Sequence, residues 1–286
     1  MDEGVGDKRG GENIKADVVI WTKNGKKTLH QCLESVEKAL GEIVHRKIAV
    51  DGHSRDRTVE ILREFNWEVY ENPDPLGRIP GGANEALRHV DCDFFVSIEQ
   101  DVVLCENFWD KVFPLLEDEK TIVASGIRLP DKPEGLRKLY EYVFERYMRN
   151  PQKWVRSAFL GVTLDNTIYK TKAIRMLGGF PDPGVSGGVD GLLAKNVFSS
   201  GYLWRVNPEA VSTHLRGSTI SEVKHWYYYG KCSRALGGSL LKIAAIAGFS
   251  PVRGAYVAWK KRSPSIIYIY PAMRWAMLAG AIASYL

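Results

Sequence analysis

Cysteine is scarce and without pattern: the four thiols at 32, 92, 105 and 232 have neither the paired spacing of a zinc site nor the density of a secreted disulfide scaffold. A reducing compartment with free thiols and no zinc is the simpler expectation. Residues 1–16 are glycine- and charge-rich and lack an apolar h-region, so they read as a disordered leader and not a signal peptide. No basic stripe interleaved with aromatics occurs, which argues against a nucleic-acid partner. What is present is ordinary globular content: 286 residues, 45% hydrophobic and 26% charged, enough for one large domain and an appendage. The net charge of +5 favours an anionic partner, either phosphates or a lipid surface.

From Asp17 onward, short apolar β-rich runs alternate with helix-period segments, as in repeated strand–helix units with a largely parallel sheet. Val18 to Thr22 reads as a first strand. Leu29, Cys32, Leu33, Val36 and Leu40 then fall at offsets of 3, 4, 7 and 11, one apolar helical face. Ile48 to Asp51 ends a second strand, Val59 to Phe65 marks a helix, Trp67 to Glu71 a third strand, Ala83 to Val90 a helix and Phe94 to Ile98 a fourth strand. Polar residues follow each strand directly. Ligands of open parallel sheets bind outside the carboxyl ends of the strands, so Thr22 to Gly25, Asp51 to Asp56 and Glu99 to Asp101 are expected to converge.

Each cluster admits two readings. Glu99 and Asp101 put two carboxylates at the end of a buried run, a place for Mg²⁺ or Mn²⁺ bridging to phosphates, or a solvated acidic turn. Asp51 to Asp56 is a turn with a helix cap at Ser54 or Asp56, and its Asp51 is an acceptor for a base or ribose. Gly77 to Asn84 is a glycine-rich loop entering a helix, with Arg78 and free N–H groups for a pyrophosphate, yet no Gly-Lys-Ser/Thr follows to make a P-loop. Asp190, by its own surroundings, reads as an N-terminal helix cap.

Taken in order, these motifs resemble glycosyltransferase family 2 from Asp17 to about Gly230. Val18 to Asn24 resembles the family's opening strand, and Val50 to Thr58 its Asp-x-x-Ser-x-Asp-x-Thr nucleotide segment. Ala83-Asn84 matches its loop–helix asparagine, Glu99-Gln100-Asp101 stands at its Asp-x-Asp motif, Gly178-Gly179-Phe180 at its Gly-Gly-Phe turn, and Val189-Asp190 at its Glu-Asp pair. The departures are Trp21 for proline, Lys23 for an aromatic, Gly52 for a second aspartate, Glu99 for aspartate and Val189 for glutamate, and the arginine before the loop asparagine is missing. The resemblance implies an α/β fold of GT-A type, a mixed, mostly parallel sheet flanked by helices, over 17–218; the residues beyond it add the expectation of a helical, membrane-associating appendage over 219–286. It further implies an inverting hexosyltransferase-like enzyme using a nucleotide-diphospho-sugar donor and a divalent cation, Mn²⁺ or Mg²⁺. Asp190 would be the catalytic base; Asp101, Glu99 and His214 the metal set; and Thr22, Asn24, Asp51, Ser54, Arg78, Asn84, Glu99, Gln100 and Asp101 the donor site.

Acceptor-side structure is expected in a strand from Thr121 to Leu129 and an aromatic helix from Leu136 to Met148. His225 to Tyr229 packs too many rings for one buried helix face, so some should meet an interface or lipid. Trp259-Lys260-Lys261-Arg262 precedes Ser263 to Leu286, whose only charge is Arg274. Pro264, Pro271 and Arg274 disfavour a simple span, leaving interfacial association, packing on the soluble domain, or a true crossing. Ala276, Gly280 and Ser284 form a small-residue face suited to close packing or a homodimer. The leading expectation is transfer to a lipid-linked or cell-surface glycan at the cytoplasmic face of the membrane. A membrane-associated nucleotide-sugar binder without turnover is the alternative; a nucleotidyltransferase is disfavoured by the absence of a Gly-rich, Arg-containing loop after the first strand.

Overall fold

A computed structural model describes residues 14–148, 162–215 and 217–286. The leader expected over 1–16 therefore lies almost wholly outside the described residues, and the first strand, β1 (Ala16–Thr22), begins immediately after the exposed Ile14 and Lys15. β2 (Val44–Asp51), β3 (Glu68–Glu71), β4 (Phe94–Glu99), β5 (Val102–Val103), β6 (Thr121–Pro130), β7 (Thr167–Lys170) and β8 (Leu203–His214) complete an eight-stranded sheet in the order β3-β2-β1-β4-β7-β6-β8-β5. The β3-β2-β1-β4 half is parallel; β7 runs antiparallel to both β4 and β6, β8 is parallel to β6, and β5 antiparallel to β8.

Strand β1 shows why the parallel half reads as an unbroken apolar run. Its residues alternate between two buried faces: Val18 and Ile20 pack with α1 (Leu29–Leu40) and α2 (Thr58–Glu64), Val19 and Trp21 with α3 (Ile79–His89) and residues further along the chain. The predicted stripe on α1 is buried throughout, Leu29, Cys32, Leu33, Val36 and Leu40 included. α3 starts earlier than its apolar period indicates, because Pro80 sits in its first turn, where a missing N–H costs nothing. The expected glycine-rich loop is correspondingly shorter: Gly81 and Gly82 are already helical, tucked against Asn72 and Trp21. The α2 cap also differs, since Arg57 holds the N-cap position, while Asp56 still accepts the Thr58 N–H at 3.0 Å.

α4 (Phe108–Val112), α5 (Glu134–Met148), α6 (Thr171–Met176) and α7 (Val189–Ser199) flank the second half of the sheet. α8 (Thr219–Cys232), α9 (Leu240–Lys261) and α10 (Ile266–Ala283) form the C-terminal helical layer. α9 and α10 seat on α5 through a third apolar cluster in which Leu136, Leu139 and Tyr142 meet Val257, Ile266, Ile269 and Met273. α8 and α10 cross at two glycines: a Cβ at Gly230 would strike the Met277 carbonyl, and one at Gly280 the Tyr227 carbonyl. Gly280 of the expected small-residue face is thus occupied within the chain.

Candidate active site

The strand register brings the tips together, with Thr22 opposite Asp51 and Trp21 opposite Glu99. Side chains then lace the loops. Thr22 Oγ1 donates to Asp51 Oδ1 (3.2 Å), Ser54 Oγ to the same oxygen (2.6 Å), and Ser54 N to Asp51 Oδ2 (2.8 Å). Asn24, at φ 52°, donates its N–H to Ser54 Oγ (2.8 Å) and accepts the Arg55 N–H on Oδ1 (2.9 Å). Gln100 clasps Lys23, accepting its N–H at 2.9 Å and donating to its carbonyl at 3.1 Å. Thr22, Asn24, Asp51, Ser54 and Gln100 therefore form one hydrogen-bonded rim at the carboxyl end of the sheet.

Arg78 and Asn84 stand differently. Arg78 Nε donates to Asp74 Oδ2 (2.5 Å) and Nη1 to Asp182 Oδ1 (3.3 Å), which ties the start of α3 to the loop before α7. Asn84 spends both ends of its amide on Phe180, donating to its carbonyl at 2.7 Å and accepting its N–H at 2.8 Å. It pins the Gly178-Gly179-Phe180 turn.

Glu99, Asp101 and His214 come together because β5 pairs Val102 with His214, folding the chain after Asp101 back onto β8. One donor atom from each lies within 4.8 Å of the others, and His214 Nε2 is 3.1 Å from Asp101 Oδ2. Two carboxylates with an imidazole are a donor set that Mn²⁺ accepts readily, and so few protein ligands leave positions for phosphate oxygens. The charge balance also fits: burial, aided by Asp165 and Asp101, pushes the Glu99 carboxyl above its ordinary range despite Arg128, a strain that a bound cation relieves.

Arg128 and Asp165 are site residues that motif reading missed. Arg128 Nη1 donates to Glu99 Oε2 (3.0 Å) and to Asp165 Oδ2 (2.6 Å). Burial opposes its charge, but Asp165 and Glu99 outweigh burial and hold it protonated. Asp165 is fully buried, and its Oδ1 has no hydrogen-bond partner among the described residues. The available signal was a lone charge, Arg128, in the otherwise uncharged strand Thr121–Pro130, which a strand buried on both faces tolerates only with a partner.

Asp190 lies in the first turn of α7, behind the N-cap Gly188, and accepts the Gly191 N–H at 2.8 Å. Burial raises its carboxyl to about 6, against the lowering effects of that N–H and of Arg128, with Glu99 adding to the rise. It lines a cavity of about 750 Å³ together with Leu192, Phe198, Tyr202, Tyr229 and Leu236, the last two from the C-terminal helical region. Tyr228 Oη accepts the Ser186 N–H at 3.3 Å, so α8 also braces the loop ahead of Asp190.

Three departures from the family pattern have steric explanations. A Cβ on Gly52 would lie 3.1 Å from the Thr22 carbonyl oxygen and 3.2 Å from that of Gly77, so an aspartate would press on both backbones. Trp21 is core, its ring edge against Phe180 at 6.0 Å. Val189 is core too, which leaves Asp190 without a carboxylate neighbour in sequence. At the opposite end of β1, Asp17, His45 and Cys92 gather donor atoms within 4.8 Å although their spacing shows no metal pattern. Asp17 Oδ2 accepts the Asp91 and Cys92 N–H groups there (2.6 and 3.1 Å).

Comparison with known proteins bears on the fold and the family. An uncharacterised glycosyltransferase of Bacillus subtilis, YfnE, is 23% identical over 137 residues, 47% of this chain and 33% of that protein, so the match spans about a third of the relative's length. Among solved structures, a mannosyltransferase from Pyrobaculum calidifontis, in complex with GDP-Man and Mn²⁺, superposes with a TM-score of 0.62 at 17% identity, over 95% of this chain and 87% of that one. Glucosyl-3-phosphoglycerate synthase from Mycobacterium tuberculosis, in complex with Mn²⁺, UDP and glucosyl-3-phosphoglycerate, gives 0.55 at 17% identity over 79% and 81%. At these identities the structures establish a shared GT-A fold. The sequence model of Glycosyl transferase family 2 matches residues 17–178, and the chain belongs to that family.

Proposed function

We propose that this protein transfers a sugar, with inversion, from a nucleoside-diphosphate donor to a hydroxyl of a lipid-linked or cell-surface glycan at the membrane face. The observation that carries the reading is Asp190, whose buried carboxyl is raised to about 6 in part by the charge of Glu99, one member of the Glu99–Asp101–His214 cluster, and which lines a cavity of about 750 Å³. Glu99, Asp101 and His214 would hold the divalent cation, which offsets negative charge on the departing diphosphate. The Thr22–Asn24–Asp51–Ser54–Gln100 rim would seat the nucleoside; Arg78 would stand at the diphosphate side, with Asn84 supporting the adjacent turn.

In the step itself, the acceptor oxygen attacks the anomeric carbon from the Asp190 side as the bond to the phosphate oxygen breaks. The nucleoside diphosphate leaves with the electron pair, and the hydroxyl proton goes to the Asp190 carboxylate, a single displacement that inverts the centre. Apolar walls around Asp190, including Leu192, Phe198 and Leu236, limit competing water and suit an acceptor with a lipid moiety.

The test is release of nucleoside diphosphate from UDP-, GDP- and dTDP-sugars with Mn²⁺ or Mg²⁺ and a membrane extract as acceptor source. Metal-dependent turnover with one donor, lost in Asp101→Ala and in Asp190→Asn while Asp190→Asn still binds donor, supports the mechanism. Tight donor binding with no release above the Asp190→Asn background favours a nucleotide-sugar binder without turnover.

A further inference from the structure

After Glu222 the chain contains no aspartate or glutamate up to Leu286, yet it carries nine lysines and arginines. That segment forms most of the helical layer, and α9 carries several of its exposed apolar side chains. Its inner face, Ile243, Ala247, Ser250, Gly254 and Val257, is buried. Its outer face should be polar if it met only water. Instead Phe249, Val252, Tyr256 and Trp259 stand at offsets of 3, 7 and 10 on one stripe, with Phe249 and Val252 each 74% exposed and Trp259 78%. Exposed Lys242, Arg253, Lys260 and Arg262 flank it. An exposed aromatic and aliphatic stripe with a purely cationic rim matches the boundary between acyl chains and anionic headgroups.

Both α9 and α10 are long and apolar enough to cross a bilayer. The packing argues otherwise. The turn between them is held on the catalytic domain, where Lys261 Nζ lies 2.6 Å from Glu145 Oε1 and Ile266 is buried against α5. The opposite ends are held as well: Arg234 Nη1 donates to the Ser284 carbonyl (3.2 Å), Tyr285 Oη to the Gly238 carbonyl (3.3 Å), and Leu236 lies against Gly188 beside the catalytic loop. Arg274, the charge in mid-α10, faces protein, its guanidinium 4.3 Å from the Trp226 ring centroid. A helix pair fastened to one domain at both ends has no end to place on the far side of a membrane.

We propose that α9 lies in the plane of an anionic phospholipid leaflet, its Phe249–Trp259 stripe sunk at the headgroup boundary and its basic flanks on lipid phosphates, and that the protein docks on the bilayer without crossing it. The benefit to catalysis rests on the transfer reading above: the same layer lends Tyr229 and Leu236 to the Asp190 cavity, so docking brings that cavity beside the lipid.

The full chain is sedimented with vesicles of phosphatidylcholine alone or with phosphatidylglycerol added. Binding is expected only with phosphatidylglycerol, falling roughly fivefold for each cation reversed among Lys242→Glu, Arg253→Glu and Lys260→Glu, and at least tenfold in Phe249→Ser/Trp259→Ser. High salt or alkaline carbonate should release the protein. These side chains are exposed, so an unchanged thermal midpoint shows that the variants fold, and donor hydrolysis in solution should stay at the wild-type level. Equal binding to both vesicles, undiminished binding by Phe249→Ser/Trp259→Ser, or retention after carbonate would overturn the proposal. So would a wild-type dimer that the double variant converts to monomer without vesicle binding. Loss of hydrolysis in wild type with vesicle binding intact would count against the transferase reading alone.

Discussion

As the proposed base, Asp190 would act only when ionised, and burial has moved its carboxyl up to about 6. Below that pH the proton-accepting form falls tenfold per unit, so kcat/KM should decline along an acid limb near 6 and level off above it. Asp190→Asn should cut the rate by roughly 10²–10⁴-fold and abolish the limb in whatever activity remains; a limb that survives unchanged assigns it to another group. Arg128 bridges Glu99 and Asp165. Replacing it by Met leaves two buried carboxylates without their cation, at a cost of about 3–5 kcal/mol in urea unfolding without metal. The loss should deepen as pH rises, because the carboxyls then ionise. An Arg128→Met variant as stable as wild type at pH 8 would show that the bridge carries no weight in the fold.

Loops and helix crossings set a second group of expectations. Gly52 occupies the place of the family's second aspartate, and the backbone of the Gly77 turn fills the space a side chain would need, with Gly77 itself at φ 61°. Restoring the family residue as Gly52→Asp should therefore weaken donor binding and lower stability by about 1–3 kcal/mol, read by donor titration and thermal unfolding; tighter binding would mean that the turn yields. At the α8–α10 crossing, Gly230→Leu forces the helices apart against the Met277 carbonyl. A comparable loss of stability is expected, with donor affinity retained, since the rim proposed to seat the nucleoside makes no use of this crossing.

For the molecule as a whole, a ligand that binds only the folded state stabilises it by mass action, about 2.7 kcal/mol at a hundred times its Kd. Mn²⁺ should raise the unfolding midpoint of wild type and leave that of Asp101→Ala unmoved, a comparison independent of any acceptor. An equal rise in both would place the cation elsewhere, the Asp17–His45–Cys92 group being the other donor cluster among the described residues.

Local pattern was enough for much of this. The α1 stripe, the β1 run and the polar residues after each strand follow from side-chain periodicity and strand-end chemistry, which neighbouring residues determine among themselves. Motif order was enough to point to the family. Helix α3 began early because Pro80 outweighed the apolar period, and the Gly52 departure became intelligible only when Gly77 was seen to fill its space. Tertiary structure alone joined Arg128 to Glu99 and Asp165, 29 and 37 residues away, tied Asn84 to Phe180, and seated Gly280 against α8. It also decided which face of α9 was left outward. Sequence specifies what each segment must bury or solvate; which distant group satisfies it depends on strand register and helix crossing, which exist only once the whole chain has packed.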